Sequence, residues 1–346
     1  MKLQLTVIAA AIALSASAAS LADARDPVYE VNGNTMNNGK GAFDQQGVIR
    51  SDMDGWSSLN IDNGTAGVRE TDHEQINQTG STLNSAQAGT EQYSEIIQSG
   101  PYGGSSTGNE AYVDQGQNGG GSEENVSLIK QINGSTNKAT VYQKGNGFNE
   151  SRVVQINGDA NTAAVNQYGM NDQSDISQSY GDHNTATVNQ YNGEYNQSII
   201  IQRNGDWNKA TVEQRNSNWS DSYIEQNGFN NTADVSQRNN SDYSDSIIRQ
   251  SGDYNEAEVD QQNNSDQTWS FIEQRDNNHL AEVTQNNADL SASYIYQGGN
   301  SGGHEAYVTQ QNEYSSVSMV RQNGATAIAN HTQTGGSGNV ASSYQW

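Results

Sequence analysis

The sequence predicts an all-β fold, a β-solenoid of about eleven stacked strand-turn-strand repeats with cross-β packing. Three observations predict it. A motif recurs in phase: "SLIKQINGSTNKATVYQ" from Ser127 is followed by "SRVVQINGDANTAAVNQ" from Ser151. Within each copy the recurring side chains alternate with period two, which places them on one face of a strand. The composition is too polar for an ordinary core, with 32% hydrophobic residues against roughly 45–50% in typical domains. Polarity of this kind without a repeat would indicate disorder, but a disordered chain needs no register.

The N-terminus, "MKLQLTVIAAAIALSASAASLADARD", has the pattern of a secretory signal peptide over residues 1–22. Lys2 is the positive region, Leu3 to Leu14 an apolar stretch too short to span a bilayer, and Ala18 and Ala22 are alternative cleavage positions. No later segment is apolar enough to cross a membrane. Residues 23–69 form a polar leader rich in Gly, Asn and Asp, expected to be flexible and a candidate secretion-targeting segment. The repeat occupies residues 70–346. Cys is absent, which excludes disulfides and thiolate chemistry.

Taking the closing Gln of each half-repeat as position zero, the series runs Gln131, Gln143, Gln155, Gln167, Gln178, Gln190, Gln202, Gln214, Gln226, Gln237, Gln250 and Gln261 and continues to Gln345, in steps of 11 to 13 residues. Position −2 is β-branched, as at Ile129, Val141 and Val153. Position −4 alternates between Ser (Ser127, Ser151, Ser174) and Ala (Ala139, Ala163, Ala186). Position −6 is most often Asn, as at Asn137, Asn161, Asn184, Asn208, Asn231 and Asn255. Gly and Asn between the strands are expected to supply the positive-φ turn conformations. Stacked rungs lie roughly 4.8 Å apart, so the Gln and Asn columns are expected to become amide ladders and the Ile/Val, Ser and Ala columns a thin dry core. Buried polar groups then satisfy one another. No Pro follows Pro101, consistent with unbroken ladders. The first units fit less well. Ile76 and Gln78 are assigned to the pattern, and Thr90 stands where Gln is expected. Near the other end His331 replaces a β-branched residue.

The formal net charge of −24, with only 16 Lys and Arg, provides no phosphate-binding patch and argues against nucleic acid. The acidity reads as solubility and mutual repulsion. Asp159, Asp182, Asp206 and Asp253 fall in turns, where solvated charge explains them better than an enzymatic carboxylate pair. The calcium-binding nonapeptide is absent. His279 and His304 replace the column Asn in consecutive repeats and would be vertical neighbours. Without further ligands they read as polar substitutions rather than a metal site. The pattern calls for no catalytic, cofactor or metal site.

These residues resemble the curlin repeat, Ser-x5-Gln-x-Gly-x2-Asn-x-Ala-x3-Gln. Ser244, Gln250, Gly252, Asn255, Ala257 and Gln261 match it at every position, and Asn125 to Gln143 match with Asn125 in place of Ser and a turn one residue longer. The resemblance covers residues 70–346, although the chain carries more repeats and a longer leader than is usual in curlins. It implies a subunit of curli, the extracellular functional amyloid of bacterial biofilms. It also implies partners: further copies of the chain, a nucleator curlin subunit, periplasmic chaperones and an outer-membrane export pore. The expected role is the major fibre subunit, with a nucleating or accessory subunit as the alternative. A monomeric surface adhesin built on the same solenoid is the rival from another class.

Overall fold

Two parallel sheets face each other along the whole repeat region. The computed structural model describes residues 30–31, 34–35, 69–88, 90–116, 123–145, 147–299 and 302–346. The expected signal peptide and nearly all of the leader lie outside the described residues. Even half-repeats build an 11-stranded sheet, from Thr82–Gln87 to Ile328–Ser337. Odd half-repeats build a 12-stranded sheet, from Arg69–Ile76 to Val340–Gln345. They are called here the Ala sheet and the Ser sheet, after position −4. The chain alternates between them, so each strand pairs with the strands one repeat before and after it. Pairing is parallel and in register: Gln202 lies beside Gln178 and Gln226, and Val212 beside Val188 and Val235. The result is an all-β solenoid of about eleven turns. Among the described residues no helix is long and apolar enough to cross a membrane.

Alternation decides what lies between the sheets. In Lys209–Arg215 the buried positions are Ala210, Val212 and Gln214, with Thr211 and Glu213 outward. Repeated along the chain, positions −2 and −4 form one continuous apolar core from Ile96 to Ala329. Its apolar residues are small or β-branched, so the layer is thin, and stiff χ1 angles suit them to the pleat.

The turns correct one expectation. Positive φ is carried largely by Asn and by bulky residues, including Asn157 (54°), Ala160 (55°), Asn204 (53°) and Trp207 (62°). The turn glycines between them serve another purpose. A Cβ on Gly158 would run into the Gly181 carbonyl oxygen of the next rung, and one on Gly205 into the Gly228 carbonyl. Glycine is needed there for close stacking of turn on turn, as expected where two backbones approach. Aromatic side chains on the left-handed positions stack between rungs, Trp207 on His183 at 4.1 Å and Trp219 on Tyr195 at 4.2 Å.

The first rungs are also in a different register from the one expected. Gln75, not Gln78, pairs with Gln98, and Ile76 points outward, half exposed. Gln78 belongs to a short pairing with Ser106. Gln87, not Thr90, holds the ladder position opposite Gln115, and Thr90 opens the next Ser-sheet strand. Spacing misled because the loops near this end differ in length from the regular turns. Lateral pairing overrides local spacing.

Candidate functional site: the amide columns and the open ends

In the Ser sheet the amides of Gln131, Gln155, Gln178, Gln202, Gln226 and Gln250 form one chain. Each Nε2 donates to the Oε1 of the next rung at 2.8–2.9 Å. The chain begins at Gln75 and ends at Gln345 without a gap. In the Ala sheet Gln143, Gln167, Gln190, Gln214, Gln237 and Gln261 do the same at 2.9–3.0 Å. That column runs from Gln87 to Gln333. Every donation points toward the C-terminal end, so the amide dipoles add along the axis. The same Nε2 also reaches a backbone carbonyl of the opposite layer, as Gln202 does to Thr185 at 2.9 Å, which ties the sheets together.

The alternation of Ser and Ala at −4 now has a reason. Ser198 Oγ donates across the core to Gln214 Oε1 (2.8 Å), Ser222 to Gln237 (2.9 Å) and Ser246 to Gln261 (2.8 Å). Ser in one sheet supplies a second donor to the Gln column of the other. Sequence spacing could not show which sheet each column touches.

Position −6 forms a different ladder. Asn137, Asn161, Asn184, Asn208 and Asn231 each accept, through Oδ1, the backbone N–H of the same position in the next rung, at 2.9–3.0 Å. Each side-chain NH2 donates to a turn carbonyl, Asn161 to Gly181 at 2.8 Å and Asn255 to Asp276 at 2.8 Å. Asn255 Oδ1 then accepts from the backbone N–H of His279 at 3.0 Å.

His279 and His304 are stacked with ring centroids 5.0 Å apart. His279 Nδ1 accepts the His304 backbone N–H at 3.2 Å, so it carries no proton, and Nε2–H donates to the Arg275 carbonyl at 2.6 Å. His304 repeats this with Ala327 N–H at 3.1 Å and the Gly298 carbonyl at 3.1 Å. Burial holds both imidazoles below their ordinary pKa. Each neutral ring keeps the acceptor role of the Asn it replaces, while its donor turns back to a strand-end carbonyl of its own rung rather than to the turn of the next. No cluster of three or more metal-ligating side chains occurs among the described residues.

Asp172 occupies the corresponding −6 column of the Ser sheet, between Asn149 and Asn196, and is fully buried. Its Oδ1 accepts from the Asn196 backbone and side chain at 3.1 and 3.2 Å. Burial pushes its pKa up to about 8, against the opposing effect of those two hydrogen bonds.

The turn carboxylates are more than solvated charge. Asp159, Asp182, Asp206 and Asp253 each accept a backbone N–H from the preceding rung at 2.7–2.9 Å. Their periodic spacing was visible in the sequence, but their backbone partners were not.

Among the described residues, both ends expose strands paired on one side only, and both place a histidine at position −2. His73 meets Ser85 Oγ at 3.0 Å, and His331 meets Ser318 Oγ at 2.8 Å. Burial lowers the pKa of both.

Parallel in-register rungs joined by glutamine ladders define a cross-β repeat protein. More specifically, the model of the curlin associated repeat matches residues 158–191, so the rungs of that stretch are similar to curlin repeats. No curated protein matches the chain.

Proposed function

We propose that this protein is a secreted structural subunit, without enzymatic activity, that polymerises into extracellular curli-type fibres contributing to a biofilm matrix and to surface adhesion. The carrying observation is the pair of unbroken, unidirectional Gln columns that run to open edges. The C-terminal edge strands, Ile328–Ser337 and Val340–Gln345, belong to the same two sheets as the N-terminal edge strands Thr82–Gln87 and Arg69–Ile76. A second copy can therefore continue both ladders, Gln345 toward Gln75 and Gln333 toward Gln87. Unpaired strand edges template such addition, and a translation that does not close on itself gives a filament. Assembly then needs no ligand and no cofactor. Its partners are other copies, a nucleator curlin subunit, chaperones in the periplasm and an export pore in the outer membrane.

The regular rungs between Asn125 and Gln261 support the role of major subunit, because a long uniform shaft is what a fibre is made of. Dilution of the mature chain from denaturant should give fibres that bind thioflavin and diffract at about 4.8 and 10 Å. A monodisperse monomer after prolonged incubation would overturn the fibre reading and favour the adhesin. Seeding of another curlin without self-elongation would assign the nucleator role.

A further inference from the structure

Two tyrosines beside the Gln column of the Ala sheet are held face to face. Tyr168 and Tyr191 each follow the column Gln of their strand, and those two, Gln167 and Gln190, lie side by side in adjacent rungs. The backbone N–H of Tyr168 donates to the Gln190 carbonyl at 2.8 Å, and Tyr191 pairs with Arg215 of the next rung, so neither side chain hangs from a free loop. Their rings stack with centroids 5.1 Å apart and planes inclined by 29°. Rungs repeat at roughly 4.8 Å, so the lattice itself sets the ring separation. Tyr191 Oη donates to Asn189 Oδ1 at 3.3 Å, and the same oxygen accepts from Asn166 Nδ2 at 2.8 Å, which ties the phenol to the rung of Tyr168. Both tyrosines are half-buried, so part of each ring reaches solvent. Burial, then Tyr168 beside it, holds the Tyr191 phenol above its ordinary pKa, so it keeps its proton at neutral pH. Neither ring takes part in the amide columns or lies at the open ends.

We propose that Tyr168 and Tyr191 are a site of oxidative cross-linking, where a one-electron oxidant such as a haem peroxidase with hydrogen peroxide joins adjacent rungs through a dityrosine bond. Each phenol gives one electron to the oxidant and its hydroxyl proton to water, leaving a phenoxyl radical. The unpaired electron is shared with the ring carbons ortho to the oxygen. Stacked rings aim the π lobes of those carbons at each other, and a C–C bond forms between one ortho carbon of each ring. The hydrogen on each coupled carbon then passes through water to the oxygen of its own ring, which restores two phenols. Two electrons and two protons leave in all, and one hydrogen peroxide that takes them up becomes two waters. Holding the pair in contact favours this coupling over capture of a freely diffusing tyrosine. Other aromatic contacts are less suited. Tyr112 and Tyr142 stand 5.7 Å apart at 58°, and Lys144 lies over the Tyr142 ring, where its charge opposes loss of an electron. Trp219 is stacked between Tyr195 and Tyr243 and keeps them apart. In a solenoid each rung contacts only its neighbours, so a bond across one contact resists opening at that point, by constraining the unfolded chain as a disulfide does. The chain has no Cys to supply such a link in another way.

Irradiating the full chain with tris(bipyridine)ruthenium and persulfate supplies a one-electron oxidant and tests the site whether or not fibres form. Cleavage at Asp172, Asp175 or Asp182 separates the two tyrosines. Mass spectrometry should then find their fragments joined and lighter by two hydrogens than their sum. The yield of this pair should be about tenfold higher in the folded chain than in denaturant, where proximity is lost. Tyr168→Phe keeps a stacked ring but has no phenol to couple, and should remove most of the dityrosine fluorescence formed within one chain. The oxidised chain should also unfold at a higher denaturant concentration than the oxidised Tyr168→Phe variant. Equal yields with and without denaturant would overturn the proposal. So would Tyr191 joined chiefly to tyrosines other than Tyr168, or dityrosine fluorescence undiminished in the variant.

Discussion

Position −6 must accept one backbone N–H from the next rung and donate one hydrogen to a carbonyl. Asn does both, and a neutral His with its proton on Nε2 accepts in the same way but donates to a strand-end carbonyl of its own rung, as at His279 and His304. Ser220 does both with one hydroxyl, donating to the Ser241 carbonyl at 2.7 Å and accepting from Ser244 N–H at 3.3 Å. Asp172 satisfies the rule only when protonated. Its Oδ2 has no hydrogen-bond partner among the described residues, and the pattern of neighbouring columns directs that atom toward the Gly193 carbonyl. A protonated Oδ2 donates there, whereas an ionised one confronts it as a second acceptor. The folded pKa of about 8 lies above the ordinary carboxyl value of 3.8, so folding takes up a proton. The stability from this group is complete below about pH 4 and is lost as pH rises through about 8. Asp172→Asn should therefore be stabilising by about 1–3 kcal/mol at pH 8 and nearly neutral at pH 4, measured by denaturant midpoints. An equal effect at both pH values would show that Asp172 is ionised in the fold. Gln202→Ala removes a link from the other kind of column. It should cost about 1–3 kcal/mol, because Gln178 and Gln226 lose their partner. The Gln and Asn columns were legible from spacing alone. The exchange of Asn for His, Ser and Asp was not, because it depends on the turn carbonyl opposite, and spacing does not place that atom.

At the scale of the element, two kinds of turn residue that look alike in sequence do different work. Gly205 is required by the backbone of the next rung, while Trp207 holds a left-handed φ of 62° that an L-residue adopts at a cost. Stacking on His183 offsets that strain. Gly205→Ala should destabilise by about 1–3 kcal/mol through a backbone clash. Trp207→Asn, which places in this turn the residue already present at Asn230, should change stability by less than about 1 kcal/mol. Thermal or denaturant unfolding of the two variants checks the contrast. A costly Trp207→Asn with a mild Gly205→Ala would mean that aromatic stacking, not backbone approach, holds the turns together. The strands themselves were legible because side-chain alternation is a local property. The register of the first rungs was not. Gln75 and Gln87 take their places from pairing with Gln98 and Gln115, across loops whose length the repeat does not dictate.

At the scale of the molecule, the two ends differ from the shaft in one shared respect. His73 and His331 stand in the −2 columns of the Ser and Ala sheets, which hold Ile or Val along the shaft and Ser343 and Ser85 at their opposite ends. In the head-to-tail continuation, Arg69–Ile76 of one copy follows Val340–Gln345 of another, and Thr82–Gln87 follows Ile328–Ser337. His73 and His331 then lie one rung from the same junction, next to Ser85 and Ser343. Neutral imidazoles can hydrogen-bond to these hydroxyls as they do within one copy. Two imidazolium ions would be buried close together, and the Asp72 carboxylate beside His73 only partly offsets the burial that disfavours its charge. Burial already lowers both pKa values below 6.5, so their contribution is complete above that pH and is lost as pH falls toward the lowered values. Fibre elongation should accordingly slow between pH 7 and pH 5. The double substitution His73→Ile with His331→Val should remove that slowing. Asp172 acts in the opposite direction but is common to both proteins, so the ratio of their seeded elongation rates isolates the histidines. That ratio should be near one at pH 7 and rise about tenfold at pH 5, the effect of about 1.4 kcal/mol at the junction. A ratio that does not change with pH would place both histidines in solvent at the growing end, and the junction would then not be the in-register continuation of the two sheets.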